Sequence, residues 1–296
     1  TIHAERTFFG VLRVKRTEGR PFRVGDAGDP GRVHRISSHT LHHGTTRHGR
    51  QMLNPQLRYQ ACSYYHPSGP IGHVFRALRG TALPDQAAFI GLGAGCLAAY
   101  GEPGQQYTFY EVDPAVAEIA ANPRFFTYLR DSRAETRIRI GDGRVLLSAE
   151  PDHHFGILVV DAFSSDAVPV HLLTREAFEL YFRKLQPDGV LALHLTSRFF
   201  DLLPVVRAIA GDLALEGLSF HDLVLTPKQA IEGKSRSLWT VLARSSAALA
   251  PLRGQRGWKE LRSGPSPNEG AYLWTDRYSS PLRLLKSVRG KPGFDY

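Results

Sequence analysis

From residue 87 to residue 243, short apolar runs alternate with helix-like segments at the pace of βαβ units. The runs Ala87-Ala88-Phe89-Ile90, Tyr107-Thr108-Phe109-Tyr110, Arg137-Ile138-Arg139-Ile140 and Phe155-Gly156-Ile157-Leu158-Val159-Val160 read as successive strands, followed by strands over 190–195, 220–225 and 238–243. Helices are predicted over 96–100, 114–121, 144–148, 174–185 and 203–213. Pro114 suits a first helical turn, with Asp113 before it as the N-cap. Residues 6–74 alternate apolar and polar positions in short runs, among them the stretch 8–14 and Val33-His34-Arg35-Ile36, with a turn-rich segment over 25–31. This predicts a small antiparallel β unit. Beyond Pro251 the chain is rich in Gly, Pro and Arg and reads as an irregular tail on the larger unit. The fold class expected is α/β: a small antiparallel β domain over 1–78, then a doubly wound, Rossmann-like sheet over 79–296.

The strand ends carry the polar groups. The first strand runs into Gly91-Leu92-Gly93-Ala94-Gly95, where Gly91, Gly93 and Gly95 let a nucleotide approach bare backbone. Twenty residues after Gly91, Glu111 ends the next strand at the separation expected of an acid that bonds both hydroxyls of a ribose. Gly141-Asp142-Gly143 follows the third strand, placing Asp142 to accept a hydrogen bond from an adenine amine beside Gly143; an Asp-Gly tight turn is the alternative. Asp161 ends the fourth strand. In an open parallel sheet these ends share one edge, so the residues converge on one crevice. The set suggests adenosine held without a pyrophosphate, as in class I S-adenosylmethionine-dependent enzymes.

Composition narrows the function. The chain has 296 residues, 42% of them hydrophobic, enough for a large core. The net charge of +9 is spread along the chain without a compact basic run or an aromatic-basic platform, which argues against nucleic acid as partner. Cys62 and Cys96 are too few for a disulfide framework, and His34, His39, His42, His43 and His48 lack metal-ligand spacing, so no metal is expected. No apolar run of about 18 residues and no signal-peptide pattern occurs, and a reducing, cytoplasmic setting is expected.

Asp161-Ala162-Phe163-Ser164-Ser165-Asp166-Ala167-Val168-Pro169 resembles the spermidine synthase (polyamine aminopropyltransferase) family, whose corresponding loop reads Asp-Ser-Ser-Asp-Pro. The resemblance also covers His43-Gly44-Thr45-Thr46-Arg47-His48-Gly49, Tyr64-Tyr65-His66 with Gly69-Pro70-Ile71-Gly72, Tyr110-Glu111-Val112-Asp113, Gly141-Asp142-Gly143 and Trp274-Thr275-Asp276-Arg277-Tyr278-Ser279. It is strongest to a divergent branch fused to membrane transporter-like segments. It implies transfer of an aminopropyl group from decarboxylated S-adenosylmethionine, or a related transfer from S-adenosylmethionine, to a small-molecule amine. By the same resemblance Asp161 is the base or orients the attacking nitrogen, Asp166 holds the substrate amine, Tyr65 and His66 form the opposite wall, and the chain self-associates, with a membrane-domain fusion or partner as a further expectation. Two departures stand out: Ala94 replaces the Asp of the family's glycine loop, and His66 is followed by Pro67 and Ser68 in place of Glu-Met. Methyl transfer to a small molecule and a non-catalytic nucleoside- or polyamine-binding domain are the alternative functions.

Overall fold

The computed structural model describes residues 1–19, 22–23, 33–34, 36–81, 85–162, 169–261 and 271–286. Two sheets dominate. The smaller has the order β1-β2-β5-β6 and is built from β1 (His3–Thr7), β2 (Gly10–Glu18), β5 (Ser37–His43) and β6 (Thr46–Met52), all antiparallel. A short hairpin, β3 (Phe22–Arg23) with β4 (Val33–His34), lies between β2 and β5 in sequence. Phe8 and Phe9 occupy the turn between β1 and β2 rather than a strand, because Gly10 reverses the chain there.

The larger sheet has eight strands in the order β14-β12-β13-β11-β10-β7-β8-β9. Its parallel part comprises β7 (Gln86–Ile90), β8 (Gln106–Glu111), β9 (Glu135–Ile140), β10 (Phe155–Val160) and β11 (Leu185–His194). The antiparallel remainder is β12 (Glu216–Asp222), β13 (Ser237–Ala243) and the edge strand β14 (Lys259–Glu260). From β7 the chain winds outward through β8 and β9, then returns to place β10 on the other side of β7. The β7/β10 boundary is therefore a topological switch point, where diverging connections leave a crevice beyond the strand carboxyl ends.

Alternation along the strands explains why both faces are covered. Phe89, Phe109, Val159 and Val241 belong to one buried cluster, while Ala88, Ile90, Tyr110, Leu158 and Leu242 belong to the other. The first cluster takes in α1 (Pro70–Leu78), α2 (Pro114–Ala121), α8 (Ser246–Arg253) and also Leu12, Val14 and Leu41 of the small sheet, so the two sheets share one core. The second is covered by α5 (Arg175–Lys184), α6 (Leu203–Asp212) and Trp274. A strand buried on both sides needs no polar face, which is why β10 is apolar throughout. Helix starts around the site carry side-chain caps: Asp113 accepts from the Ala115 amide before α2, Asp142 from the Val145 amide before α4 (Gly143–Ser148), and Thr174 from the Ala177 amide before α5. Among the described residues, no helix is long and apolar enough to cross a membrane.

Candidate active site

A cavity of about 410 Å³ opens at the carboxyl ends of β7, β8, β10 and β11, within the size range of small-molecule sites. Its opposite wall comes from the β5–β6 turn, through His43, Thr46, Arg47 and His48, and from Tyr64 and Tyr65. The loop after β7 forms the floor, and two of its glycines are obligatory. Gly91 has φ +100°, and a Cβ there would stand 2.2 Å from the Asp161 carbonyl oxygen; Gly93 has φ +55°, with the His48 carbonyl oxygen at the same 2.2 Å. The loop thus lies flat between the β10 end and the small sheet, clamped by the Ala94 amide donating to the His48 carbonyl at 3.2 Å.

Glu111 reaches back from the end of β8 to this loop. Its carboxylate accepts from the Leu92 amide at 3.1 Å and from the Asp113 amide at 3.0 Å. Burial raises its pKa above the ordinary carboxylate value even against those two hydrogen bonds. Asp113 caps α2 with one oxygen and accepts from the Thr7 hydroxyl at 2.7 Å with the other, so the β1–β2 turn is fastened over the site and Phe9 lines the cavity. Asp142 caps α4 while its second oxygen lies 3.0 Å from His171 Nε2. Asp142 and Gly143 both line the cavity, and the cap is the role the structure displays for Asp142. Behind them Arg144 donates two hydrogen bonds to Asp276, at 2.7 and 2.6 Å, tying the carboxyl-terminal segment to α4.

Asp161 is the centre of the other half. Its side chain is 7% exposed; it accepts a short hydrogen bond from the Tyr65 hydroxyl, and its second oxygen lies 2.8 Å from His194 Nδ1. Burial alone would raise the carboxyl pKa, but the His194 charge and the hydrogen bonds from His194 and Tyr65 outweigh it and hold Asp161 below the ordinary carboxylate range. His194 is stacked between Tyr64, with ring centroids 4.3 Å apart, and Trp239, at 4.8 Å. The Tyr64 hydroxyl donates to the Arg47 carbonyl at 3.2 Å, and Arg47 Nη2 donates to Ser235 Oγ at 3.1 Å. His48, inside the cavity, is driven down to about 4 mainly by burial and next by His43, so it is neutral at physiological pH.

Of the residues singled out from the sequence, Asp161, Tyr65, Gly91, Gly93, Glu111, Asp142 and Gly143 line this one cavity. His66 and Gly95 do not. His66 is buried behind the wall, with Nδ1 3.0 Å from Ser68 Oγ and Nε2 2.9 Å from Gln60 Nε2; the turn that brings Tyr65 to the cavity carries the next side chain away from it. Gly95 starts the short 3-10 helix Cys96–Tyr100, and a Cβ there would meet Leu129, on the side facing α3 (Tyr128–Asp131). Asp166 lies outside the described residues.

From the sequence, His194 and Arg236 were not singled out, and Arg47 and His48 were named within a motif but given no role in the site; all four line the cavity. His194 had a usable signal. It is the polar residue closing an apolar parallel strand, at the position one strand over from Asp161. Arg47 and His48 come from the small sheet, and no spacing within the chain announces that this hairpin folds against the glycine loop.

No protein-family model matches the chain. A polyamine aminopropyltransferase of Vibrio vulnificus (strain CMCP6) is 31% identical over 259 residues, spanning 77% of this chain and 81% of that protein. A probable polyamine aminopropyl transferase of Bifidobacterium longum (strain NCC 2705) is 27% identical over 125 residues, 40% of this chain and 26% of that one. Among solved structures, a probable spermidine synthase from Corynebacterium glutamicum ATCC 13032 shares the fold, with a TM-score of 0.59 at 14% identity over 98% of this chain and 99% of that chain.

Proposed function

Because the chain belongs to the polyamine aminopropyltransferase family, we propose that it moves an aminopropyl group from decarboxylated S-adenosylmethionine to a small-molecule amine in the cavity at the β7/β10 switch point. The observation that carries this reading is the buried Asp161 carboxylate, held ionised by Tyr65 and His194 beside the glycine loop. In the reaction the amine nitrogen lone pair forms a bond to the methylene next to the sulfonium. The carbon–sulfur bond breaks with its electron pair going to sulfur, which leaves neutral methylthioadenosine. The acceptor enters as an ammonium and sheds one proton before attack, so the products are a secondary ammonium, the thioether and one proton.

Glu111 serves the ribose, since each of its oxygens keeps a lone pair beyond the backbone amide it already accepts. Gly91 and Gly93 present bare backbone to the nucleoside, and Asp142 with Gly143 walls the adenine end. Asp161 orients the attacking nitrogen rather than storing its proton. A carboxylate below its usual range and an alkylammonium near pKa 10.4 stand about six pKa units or more apart, so full transfer in the ground state would cost at least about 8 kcal/mol. A fixed anion beside the amine instead steers the lone pair toward the carbon, with Tyr65 fixing the carboxylate and Asp166 taking a substrate ammonium. Holding both reactants in this geometry supplies much of the acceleration.

Mass spectrometry of the nucleoside products tests the reading. The protein is incubated with decarboxylated S-adenosylmethionine or with S-adenosylmethionine, each with a pool of amines. Methylthioadenosine formed only when an amine is present is the expected result. S-adenosylhomocysteine as the nucleoside product would establish methyl transfer instead.

A further inference from the structure

Behind the cavity wall lies a polar cluster that the reaction does not touch. The segment between β12 and β13, residues 223–236, folds back onto residues 63–68, the stretch that carries Tyr65 to Asp161 and Tyr64 to His194. It grips that stretch at both ends. At the first end the Ser63 amide donates to the Gly233 carbonyl at 2.7 Å, and the Ser63 carbonyl accepts from the Ser235 amide at 3.0 Å. Ser63 is fully buried with φ +62°, a left-handed conformation that a serine holds only where its surroundings impose it. At the other end Lys234 Nζ donates to the Ser68 carbonyl at 3.1 Å, and Gln229 Nε2 donates to Ser68 Oγ at 2.9 Å. The same ammonium lies 2.8 Å from Asp222 Oδ2 at the end of β12, the two side chains being 3% and 7% exposed. Neither lines the cavity.

A buried ion pair is a poor source of stability, because desolvating both charges offsets most of their attraction and apolar groups of the same shape often serve as well. What such a pair supplies is position. An ammonium that must meet a carboxylate and a carbonyl at once fixes the distance between them, and here it ties the end of β12 to the loop whose Tyr65 hydroxyl meets Asp161. We propose that Lys234, anchored by Asp222, is a positioning residue that holds residues 63–68 in register with the large sheet, so that Tyr65 keeps the Asp161 carboxylate in its orienting geometry. This rests on the transfer reading above and deepens it. Lys234 acts through Tyr65 and touches no reacting atom.

Removing both charges separates position from stability. Lys234→Met with Asp222→Leu keeps the side-chain shapes and leaves no unpaired charge, so Tm is expected to hold. The kcat for methylthioadenosine formation is expected to fall about tenfold or more, the scale of a misplaced reacting group. The Kd for methylthioadenosine, set by the glycine loop and β8, is expected to stay the same. In a Tyr65→Phe background, where no hydroxyl is left to place, the fall is expected to shrink to about threefold or less. Wild-type kcat at wild-type Tm overturns the proposal, and so does a full fall that persists in the Tyr65→Phe background. Should the apolar double variant fail to fold, Gln229→Ala loosens the same Ser68 end from a partly exposed position; a fall in kcat that Tyr65→Phe abolishes supports the proposal, and unchanged kcat overturns it. Absence of methylthioadenosine with the wild-type protein would instead sink the transfer reading. Near-ultraviolet circular dichroism then decides the position by itself, because Tyr64, His194 and Trp239 form a stack beside Tyr65. A changed aromatic signal in the folded apolar variant supports the role of Lys234, and an unchanged one overturns it.

Discussion

The most consequential side chain is Asp161, and its partners separate two roles that a carboxylate at a strand end can play. A proton-accepting carboxylate for catalysis near neutrality is ordinarily raised toward that pH by burial. Asp161 is buried but held low by His194 and Tyr65, which suits an orienting anion. Asp161→Asn keeps the shape and can still accept from Tyr65, so folding and nucleoside binding are expected to persist while kcat falls about 10²-fold or more; steady-state kinetics beside calorimetry of nucleoside binding checks this, and unchanged turnover would remove Asp161 from the reaction. The wild-type protein is also expected to gain rate between pH 7 and pH 9 at low amine concentration. The free-amine fraction rises about tenfold per pH unit below the ammonium pKa, and an Asp161 titrating below 3.8 adds no inflection there. A plateau starting near pH 7 would point to a proton acceptor titrating in that range. At this scale the sequence located Asp161 and Glu111 because each closes an apolar strand. It misplaced His66, since one residue's difference in a turn moves a side chain from one side of a wall to the other.

Elements matter here through close backbone approach. The loop after β7 meets the end of β10 on one side and the β5–β6 turn on the other, and the limiting contacts are Gly91 on the Asp161 carbonyl and Gly93 on the His48 carbonyl. Gly91→Ala puts a methyl carbon 2.2 Å from a backbone oxygen at φ +100°. Neither partner is a flexible side-chain end, so the loop or the β10 end must shift. The expected loss is about 2–4 kcal/mol of stability together with loss of nucleoside binding, read by chemical denaturation and calorimetry; wild-type stability and affinity would show the loop to be pliable. The elements of the parallel sheet were legible because strand and helix periods differ and the cap Asp113 with Pro114 marks one such change; Asp142, read as an adenine contact or a tight turn, and Thr174, read as a helix residue, prove to be caps in the structure. The tail was less so. Lys259–Glu260 forms an edge strand too short to show a period, and the Asp276 clasp on Arg144 joins residues too distant in sequence for local pattern to reveal.

For the whole molecule, packing the small sheet and the loop after it into the same core as the large one carries imidazoles out of water. His48, His42 and His66 are each lowered from 6.5 to about 4. Burial is the main cause in all three, aided by His43 at His48, by Lys15, Arg47, Arg50 and Arg13 at His42, and by Lys234 at His66. Each must therefore stay neutral when folded, yet takes a proton near pH 6.5 once unfolded. The stability this represents is fully present above pH 6.5 and is lost as pH falls through the window toward 4, because the unfolded chain binds more protons there. Glu111 and Asp222, whose pKa values are raised, act in the opposite sense, but closer to the ordinary carboxylate range. Between pH 7 and pH 5 the histidines set the sign. His48 alone accounts for a loss of about 2 kcal/mol, or a fall in Tm of about 3 °C, and the buried His66 and the partly exposed His42, discounted for its exposure, add to it. Scanning calorimetry at the two pH values measures it, and replacing His48 and His66 together by Gln is expected to flatten the difference to less than about half. A Tm that holds or rises on acidification would show that these imidazoles are protonated in the folded chain, and with that the neutral His48 wall of the cavity would be lost.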